Sequence, residues 1–271
     1  MKIYPALPHE PSSERTSVQD VADDLARDPL RNIVLLKQLL AYRKQVRVRQ
    51  VSGPEGMATL VELDTAFSLW DRQVYPKADI TAFVSSDHPK LIVPLIAHLP
   101  RGAGIVFKLC QEADVVPVQT QFSIERRTAF MSFTAAGSFV PDSDVRTTSV
   151  PSEAAYQLFE SQGHDRGWLE PLLVAGKAFA CVLEHDGLPL SACLAFENYS
   201  QIWEVGGVVT IASRRKRGLG ARVVRTALAR LSEDGLVPRY QVEEHNEASI
   251  GLARSVSLTP FLTITHYAHE C

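Results

Sequence analysis

The sequence is poor in the features that would assign it to a specialised class. Its 271 residues hold four cysteines, at 110, 181, 193 and 271, and no two are spaced as C-x-x-C. A disulfide scaffold is therefore excluded, and no metal is expected. Cys110, Cys181 and Cys193 lie in apolar runs, as buried, reduced thiols do. No apolar stretch reaches the ~18 residues of a membrane span, and the first residues lack the basic-then-apolar plan of a secretion signal. A cytoplasmic protein with no membrane partner is expected. Charge of one sign is missing as well. The formal net charge is -3 with no charged tail, which argues against a nucleic-acid partner.

What remains is the composition of a folded protein, 45% hydrophobic and 22% charged, long enough to bury a core without covalent help. Along the chain, 17–42 reads as a helix broken at Asp28-Pro29, its second piece placing Ile33, Leu36, Leu39 and Leu40 on one face. Strands are expected at 46–51, 58–63 and 65–70, a helix at 88–99, a strand at 104–109, and one or two strands within 119–134. The polar stretch 141–151, with two prolines, reads as a linker. After it the order restarts: helices at 152–162 and 167–175, strands at 178–183 and 190–196 around the turn His185-Asp186-Gly187, and a strand at 201–211. A helix at 220–232, a strand at 239–243, a helix at 248–256 and a strand at 262–267 complete it. The fold class is α/β, two layers in tandem, each a mixed sheet flanked by helices, with domains at 1–145 and 146–271.

One turn carries chemistry. A strand enters the basic turn Arg215-Lys216-Arg217-Gly218-Leu219-Gly220, and an amphipathic helix with Val223, Val224, Ala227, Leu228 and Leu231 on its apolar stripe leaves it. Glycines at 218 and 220 clear side chains from the place where unpaired N–H groups and the positive end of the helix dipole point outward, which suits a phosphate. The turn is not a dinucleotide fingerprint, because Val223 stands where a third glycine would be needed. It is not a Walker A loop, because no Lys-Ser or Lys-Thr pair follows. Taken alone, it could also be a solvated basic turn.

The segment 208–221 resembles the acyl-CoA-binding motif of the GNAT superfamily of N-acetyltransferases, Arg/Gln-x-x-Gly-x-Gly/Ala after a strand. A second family feature follows at Asn246-Glu247-Ala248-Ser249-Ile250-Gly251-Leu252-Ala253, an asparagine at a strand end leading into a helix. The resemblance covers roughly 176–267. It implies that Val208, Val209 and Thr210 pair with the pantetheine arm of acetyl-CoA or another acyl-CoA. It implies further that Arg215, Lys216, Arg217, Gly218, Leu219, Gly220 and Ala221 hold the pyrophosphate, with Asn246 and Ser249 beside the arm. The acceptor implied is the primary amine of a small molecule or amino acid, attacking directly, in a monomer or homodimer.

Glu204, on the strand face expected to include Gly206, Val208 and Thr210, falls where the family often has a catalytic glutamate; a structural ion pair or a substrate anchor is the alternative. The family's acid, a tyrosine, is replaced by Ala253, which leaves Tyr267, His266, His245 or water to protonate the thiolate, and a non-catalytic acyl-CoA-binding or sensing module as the rival function. Ser257 stands where the family commonly has glycine. The first half resembles a degenerate, non-binding copy, as in tandem acetyltransferases and glycine N-acyltransferase-like proteins. Trp70, Asp71, Tyr75 and Asp79 are candidates for lining an acceptor pocket.

Overall fold

The computed structural model describes residues 13–270. They form a mixed α/β protein of two compact units, one made of 13–129 with 263–270, the other of Phe130–Leu262. The boundary drawn from the polar stretch at 145/146 differs from this division, because strands, not the linker-like composition, decide which residues pack together.

In chain order the elements are β1 (Ser13–Arg15), α1 (Val18–Leu25), α2 (Ile33–Ala41), β2 (Arg47–Gly53), β3 (Gly56–Asp64), α3 (Leu69–Val74), β4 (Ile80–Ser86), α4 (Ile92–Ile96), β5 (Ile105–Leu109), α5 (Val115–Gln119) and β6 (Glu125–Thr134). Then come β7 (Val145–Thr148), α6 (Glu153–Glu160), α7 (Arg166–Val174), β8 (Ala178–His185), β9 (Leu188–Tyr199), β10 (Ile202–Thr210), α8 (Leu219–Glu233), β11 (Val237–Glu243), α9 (Glu247–Ser255) and β12 (Thr259–His269). No helix among the described residues is long and apolar enough to cross a membrane.

The two units share one strand plan. The first runs β1-β2-β3-β4-β5-β12 and the second β7-β8-β9-β10-β11-β6. In each, three antiparallel pairings lead to one parallel pair, β4 with β5 or β10 with β11, and an antiparallel strand closes the sheet. The closing strand is out of chain order in both: β12 pairs with β5 through Thr265–His269, and β6 pairs with β11 through Phe130–Phe133.

Two expectations are corrected. Residues 65–70, expected as a strand, are a 3-10 turn (Thr65–Phe67) running into α3, because Asp64 accepts from the Ala66 N–H and Ser68 from the Asp71 N–H. These short polar side chains satisfy helix starts more readily than a ladder does. The stretch expected as a linker contains β7, an edge strand on β8 whose Val145 is buried while Arg146 and Thr147 face solvent. Its polar composition is that of an edge, not of a spacer.

In the second unit, strand alternation separates two cores. Cys181, Cys193 and Val205 pack with Val223, Val224, Ala227, Leu228 and Leu231 of α8. Ala180, Val182, Ala192, Leu194 and Val209 pack with Phe159 of α6 and Leu169 of α7. The α8 stripe is thus the one read from the sequence, and each large aliphatic side chain buried there contributes ~1.5–3 kcal/mol. The hairpin between β8 and β9 turns at Asp186 and Gly187, with φ of 51° and 74°, as the Asp-Gly pair leads one to expect.

Candidate functional site

The basic turn lies between β10 and α8. Lys216 and Gly218 both have positive φ, 60° and 76°, and Gly218 is the residue that opens the helix, with no side chain to cap it. Alternating the hand of the backbone in this way curls successive N–H groups toward one point, a concavity that binds anions. The carbonyl of Gly218 takes the N–H groups of Ala221 and Arg222. Those of Arg217, Gly218, Leu219 and Gly220 meet no acceptor among the described residues. Arg215 is tied to the Thr210 carbonyl by its Nε at 3.1 Å, while Lys216 and Arg217 are exposed and lack a carboxylate partner among the described residues. A Cβ on Gly220 would stand 3.6 Å from Val208 Cγ1 and Leu252 Cδ2 and 3.8 Å from Thr210 Oγ1, so this glycine opens the first helical turn toward β10.

Beside the turn the sheet forks. β10 and β11 pair in parallel only at Ile202↔Val237, Trp203↔Pro238 and Glu204↔Arg239, and then diverge. Glu204 stands at the vertex. Its Oε2 accepts from Arg239 Nη1 at 2.6 Å and from Asn198 Nδ2 at 2.9 Å, and its Oε1 accepts from the Gln241 N–H at 3.0 Å. The Gln241 N–H is the one that the next rung of a parallel ladder would give to the β10 backbone. The carboxylate takes it instead, and so the side chain ends the ladder. Arg239, only 3% exposed, also donates to Ser132 Oγ at 3.0 Å. Two atoms of this cluster are buried without partners, Asn198 Oδ1 and Arg239 Nε.

A bulge follows on β10. Gly206 pairs with Leu194 but Val209 with Ala192, so β10 carries one extra residue at Gly207-Val208, where Gly207 has a φ of 59°. The period-two expectation for this strand fails at that point. Glu204 and Gly206 lie on the face of Phe196, Leu194 and Val209, against α6 and α7, whereas Val208 packs on the α8 side. Val209 and Thr210 are tied to β9, the Val209 carbonyl and Thr210 Oγ1 each meeting Ser191 Oγ, at 2.9 and 2.8 Å. Of the three residues expected along the arm, Val208 borders the fork most directly.

Asn246 caps α9, its Oδ1 accepting the Ser249 N–H at 3.0 Å, which is the ordinary work of an asparagine at a helix start. Ala253 is fully buried in the α8 core, so no acid stands there. Ser257 has a φ of 62°, which explains why glycine is the common choice at this position. Among the substitute acids, His245 is exposed beside Glu244. Tyr267 packs in the first unit's core, and His266 Nδ1 is bonded to the Tyr75 hydroxyl at 2.8 Å in that unit. Burial and the Lys108 charge push the His266 pKa down to about 2, so it holds no proton to give near neutrality.

The four residues considered for an acceptor pocket are occupied within the first unit. Asp71 pairs with the buried Lys108 at 2.7 Å, Tyr75 holds His266, Trp70 stands edge-on to both rings, and Asp79 accepts the Gly104 N–H. Sequence reasoning missed Asn198, Arg239 and His164. A lone arginine within the short strand at 239–243, and a histidine set between a glycine and the capping Asp165, were the available signals. Among the described residues no group of three His, Cys, Asp or Glu side chains could hold a metal.

Comparison with known proteins agrees with this geometry. The family model of the acetyltransferase (GNAT) family matches residues 146–256. A search of curated proteins finds no sequence match. Among solved structures, a GCN5-related N-acetyltransferase from Sphaerobacter thermophilus matches with a TM-score of 0.61 at 14% identity, covering 95% of each chain. One from Kribbella flavida gives 0.54 at 18% identity, covering 92% of this chain and 95% of its own. A tandem GNAT protein from the clavulanic acid biosynthesis pathway gives 0.51 at 10% identity, covering 95% and 98%. At such identities the likeness is one of fold. The family model makes the assignment: residues 146–256, which contain the fork and the basic turn, belong to the acetyltransferase (GNAT) family.

Proposed function

We propose that the protein is an acyl-CoA-dependent N-acyltransferase that moves an acetyl group from acetyl-CoA to the primary amine of a small molecule or amino acid by direct attack. The family uses acyl-CoA as its co-substrate. The observation that carries the reading is the joint placement of an open strand fork and an uncapped helix start with a left-handed turn. An extended arm that adds hydrogen bonds to a strand edge fits the first, and a diphosphate fits the second. In this reading Val208 borders the arm, N–H groups of Arg217 to Gly220 hold the diphosphate, and Lys216 and Arg217 supply charge. Asn246 acts on the site through the start of α9.

The first unit supports a non-binding role by contrast. Its parallel pair β4–β5 is zipped from Ile80↔Ile105 to Val84↔Leu109, and no bulge interrupts β4. A second reading, an acyl-CoA-binding module without turnover, draws on the engaged state of Glu204 and the buried Ala253. Isothermal titration of CoA into the wild type and Gly220→Glu tests the site. The new carboxylate lies against the diphosphate cradle, and affinity should be lost. Unchanged affinity would overturn the assignment. Thiol release from acetyl-CoA with amines separates the enzyme from the binding module.

A further inference from the structure

The loop between α6 and α7 holds one histidine in a fixed position. Gly163, with a φ of 82°, turns the chain; its N–H reaches the Glu160 carbonyl at 2.9 Å and the His164 N–H reaches that of Phe159 at 3.1 Å. Asp165 then starts α7 by accepting the Trp168 N–H. The backbone on both sides of His164 is therefore anchored.

The His164 ring lies over the bulge of β10. A Cβ built on Gly207 would stand 3.0 Å from both Cδ2 and Nε2 of the imidazole and 3.2 Å from Leu194 Cδ1. Real Cβ atoms are seldom so close, so the ring reaches the strand only because residue 207 is glycine. Trp168 lies beside the imidazole, with centroids 5.9 Å apart, and stands edge-on to Phe196 at 5.1 Å. Neither ring nitrogen of His164 has a hydrogen-bond partner among the described residues. The ring is only partly covered and its nitrogens are not among the buried unpaired atoms, so they stay open to a group that enters from solvent. Burial alone holds its pKa below the ordinary 6.5, which leaves the ring neutral with a lone pair at pH 7. The charged side chains next to it in sequence are committed elsewhere: Asp165 to the α7 cap, and Arg166 to Glu153 and Glu170. Across from it, β9 presents apolar Leu194 and Phe196.

We propose that His164 is the proton acceptor for the attacking amine, and that Trp168 and Phe196 hold a flat or branched apolar group carried by that amine. The inference rests on the acyl-transfer reading above. The amine nitrogen forms the new C–N bond at the thioester carbonyl carbon and gives its proton to a His164 ring nitrogen. The C–S bond breaks, the thiolate leaves with the electron pair, and the proton returns to it through solvent. The products are the amide and free CoA thiol, with no oxidant or metal consumed.

The test uses the full-length protein, acetyl-CoA, and two probe amines, 2-phenylethylamine and spermidine. Thiol release gives kcat and KM, and titration gives CoA affinity. His164→Asn should keep CoA affinity within about twofold, lower kcat by ~10²-fold or more, and be partly rescued by added imidazole. Trp168→Ala should raise the KM for 2-phenylethylamine by ~10-fold with kcat little changed, and the wild type should prefer 2-phenylethylamine to spermidine. A His164→Asn kcat within about threefold of wild type, loss of its CoA affinity, or absence of imidazole rescue would overturn the proton-acceptor role. A preference for spermidine, or an unchanged KM in Trp168→Ala, would overturn the apolar wall. Wild type that binds acetyl-CoA yet transfers to neither amine overturns this inference alone. Wild type that binds no CoA overturns the acyl-transfer reading.

Discussion

Replacing Arg239 by methionine removes the one cation that pairs with Glu204 among the described residues. Arg239 is 3% exposed and Glu204 8%, and the guanidinium supplies a bond of 2.6 Å to Oε2. Without it the carboxylate keeps only the Asn198 amide and the Gln241 N–H. Breaking a buried pair from one side costs ~3–5 kcal/mol, because the surviving charge keeps its desolvation penalty. The cost of desolvating both partners nearly cancels their attraction, so removing both is much cheaper. Arg239→Met should therefore lower the melting temperature by roughly 10 °C at ~2–4 °C per kcal/mol, while Glu204→Leu with Arg239→Met should recover most of the loss. The double variant has no carboxylate to take the Gln241 N–H, so the fork loses its stop, and CoA affinity should stay low even where stability returns. Calorimetry and CoA titration on the single and double variants form the cycle. A single variant within about 1 kcal/mol of wild type, or a double variant with full CoA affinity, would refute the claim that this pair holds the fork.

The remaining expectations concern charge. His266 is kept neutral in the folded chain, with its pKa pushed down to about 2, while the unfolded chain protonates near the ordinary 6.5. The unfolded state then binds the extra proton, so stability is full above that value and falls as pH drops, by roughly 2 kcal/mol at pH 5. His266→Gln should flatten this slope in urea titrations at pH 7 and 5, and a slope equal to wild type would contradict it. Lys216→Ala with Arg217→Ala removes two exposed charges without a carboxylate partner among the described residues. CoA affinity should fall by ~10-fold at low salt, with the gap narrowing near ~1 M where screening is strong, and the melting temperature should hold. A lower melting temperature with unchanged affinity would place the two residues in the fold rather than the site.

The α8 stripe, the Asp-Gly hairpin and the basic turn were legible because each depends on residues close in sequence. Periodicity of 3.6 locates the apolar face of a helix, and glycine marks left-handed backbone. The β10 bulge was not legible. A single inserted residue at Gly207-Val208 changes which face every later side chain takes, and only pairing with β9 shows it. The Glu204 cluster was half visible. A carboxylate in an apolar strand was conspicuous, but Asn198, Arg239 and Ser132 come from three other strands, and nothing local announces that they converge. The edge strand β7 was hidden for the opposite reason, since an edge needs few apolar residues and so reads as a linker.

The two units show what makes a fork from the same strand plan. In both, a strand that follows two antiparallel partners meets a parallel neighbour beyond a crossover helix. In the first, β4 has an unbroken register against β3, and its residues Ile80 to Ser86 are all buried, so nothing interrupts the ladder to β5. In the second, Glu204 captures the N–H of the next rung and Gly206-Gly207 let β10 bulge away from straight pairing. The crossover also differs. α4 is a five-residue helix begun at Leu91 in right-handed backbone, whereas α8 has fifteen residues and begins at a left-handed glycine whose N–H groups stay unpaired. The side chain that ends the ladder and the turn that exposes the amides lie on the same strand, β10 and its exit. A binding groove thus arises here from one carboxylate, one inserted residue and one left-handed turn, without any change in the order of strands.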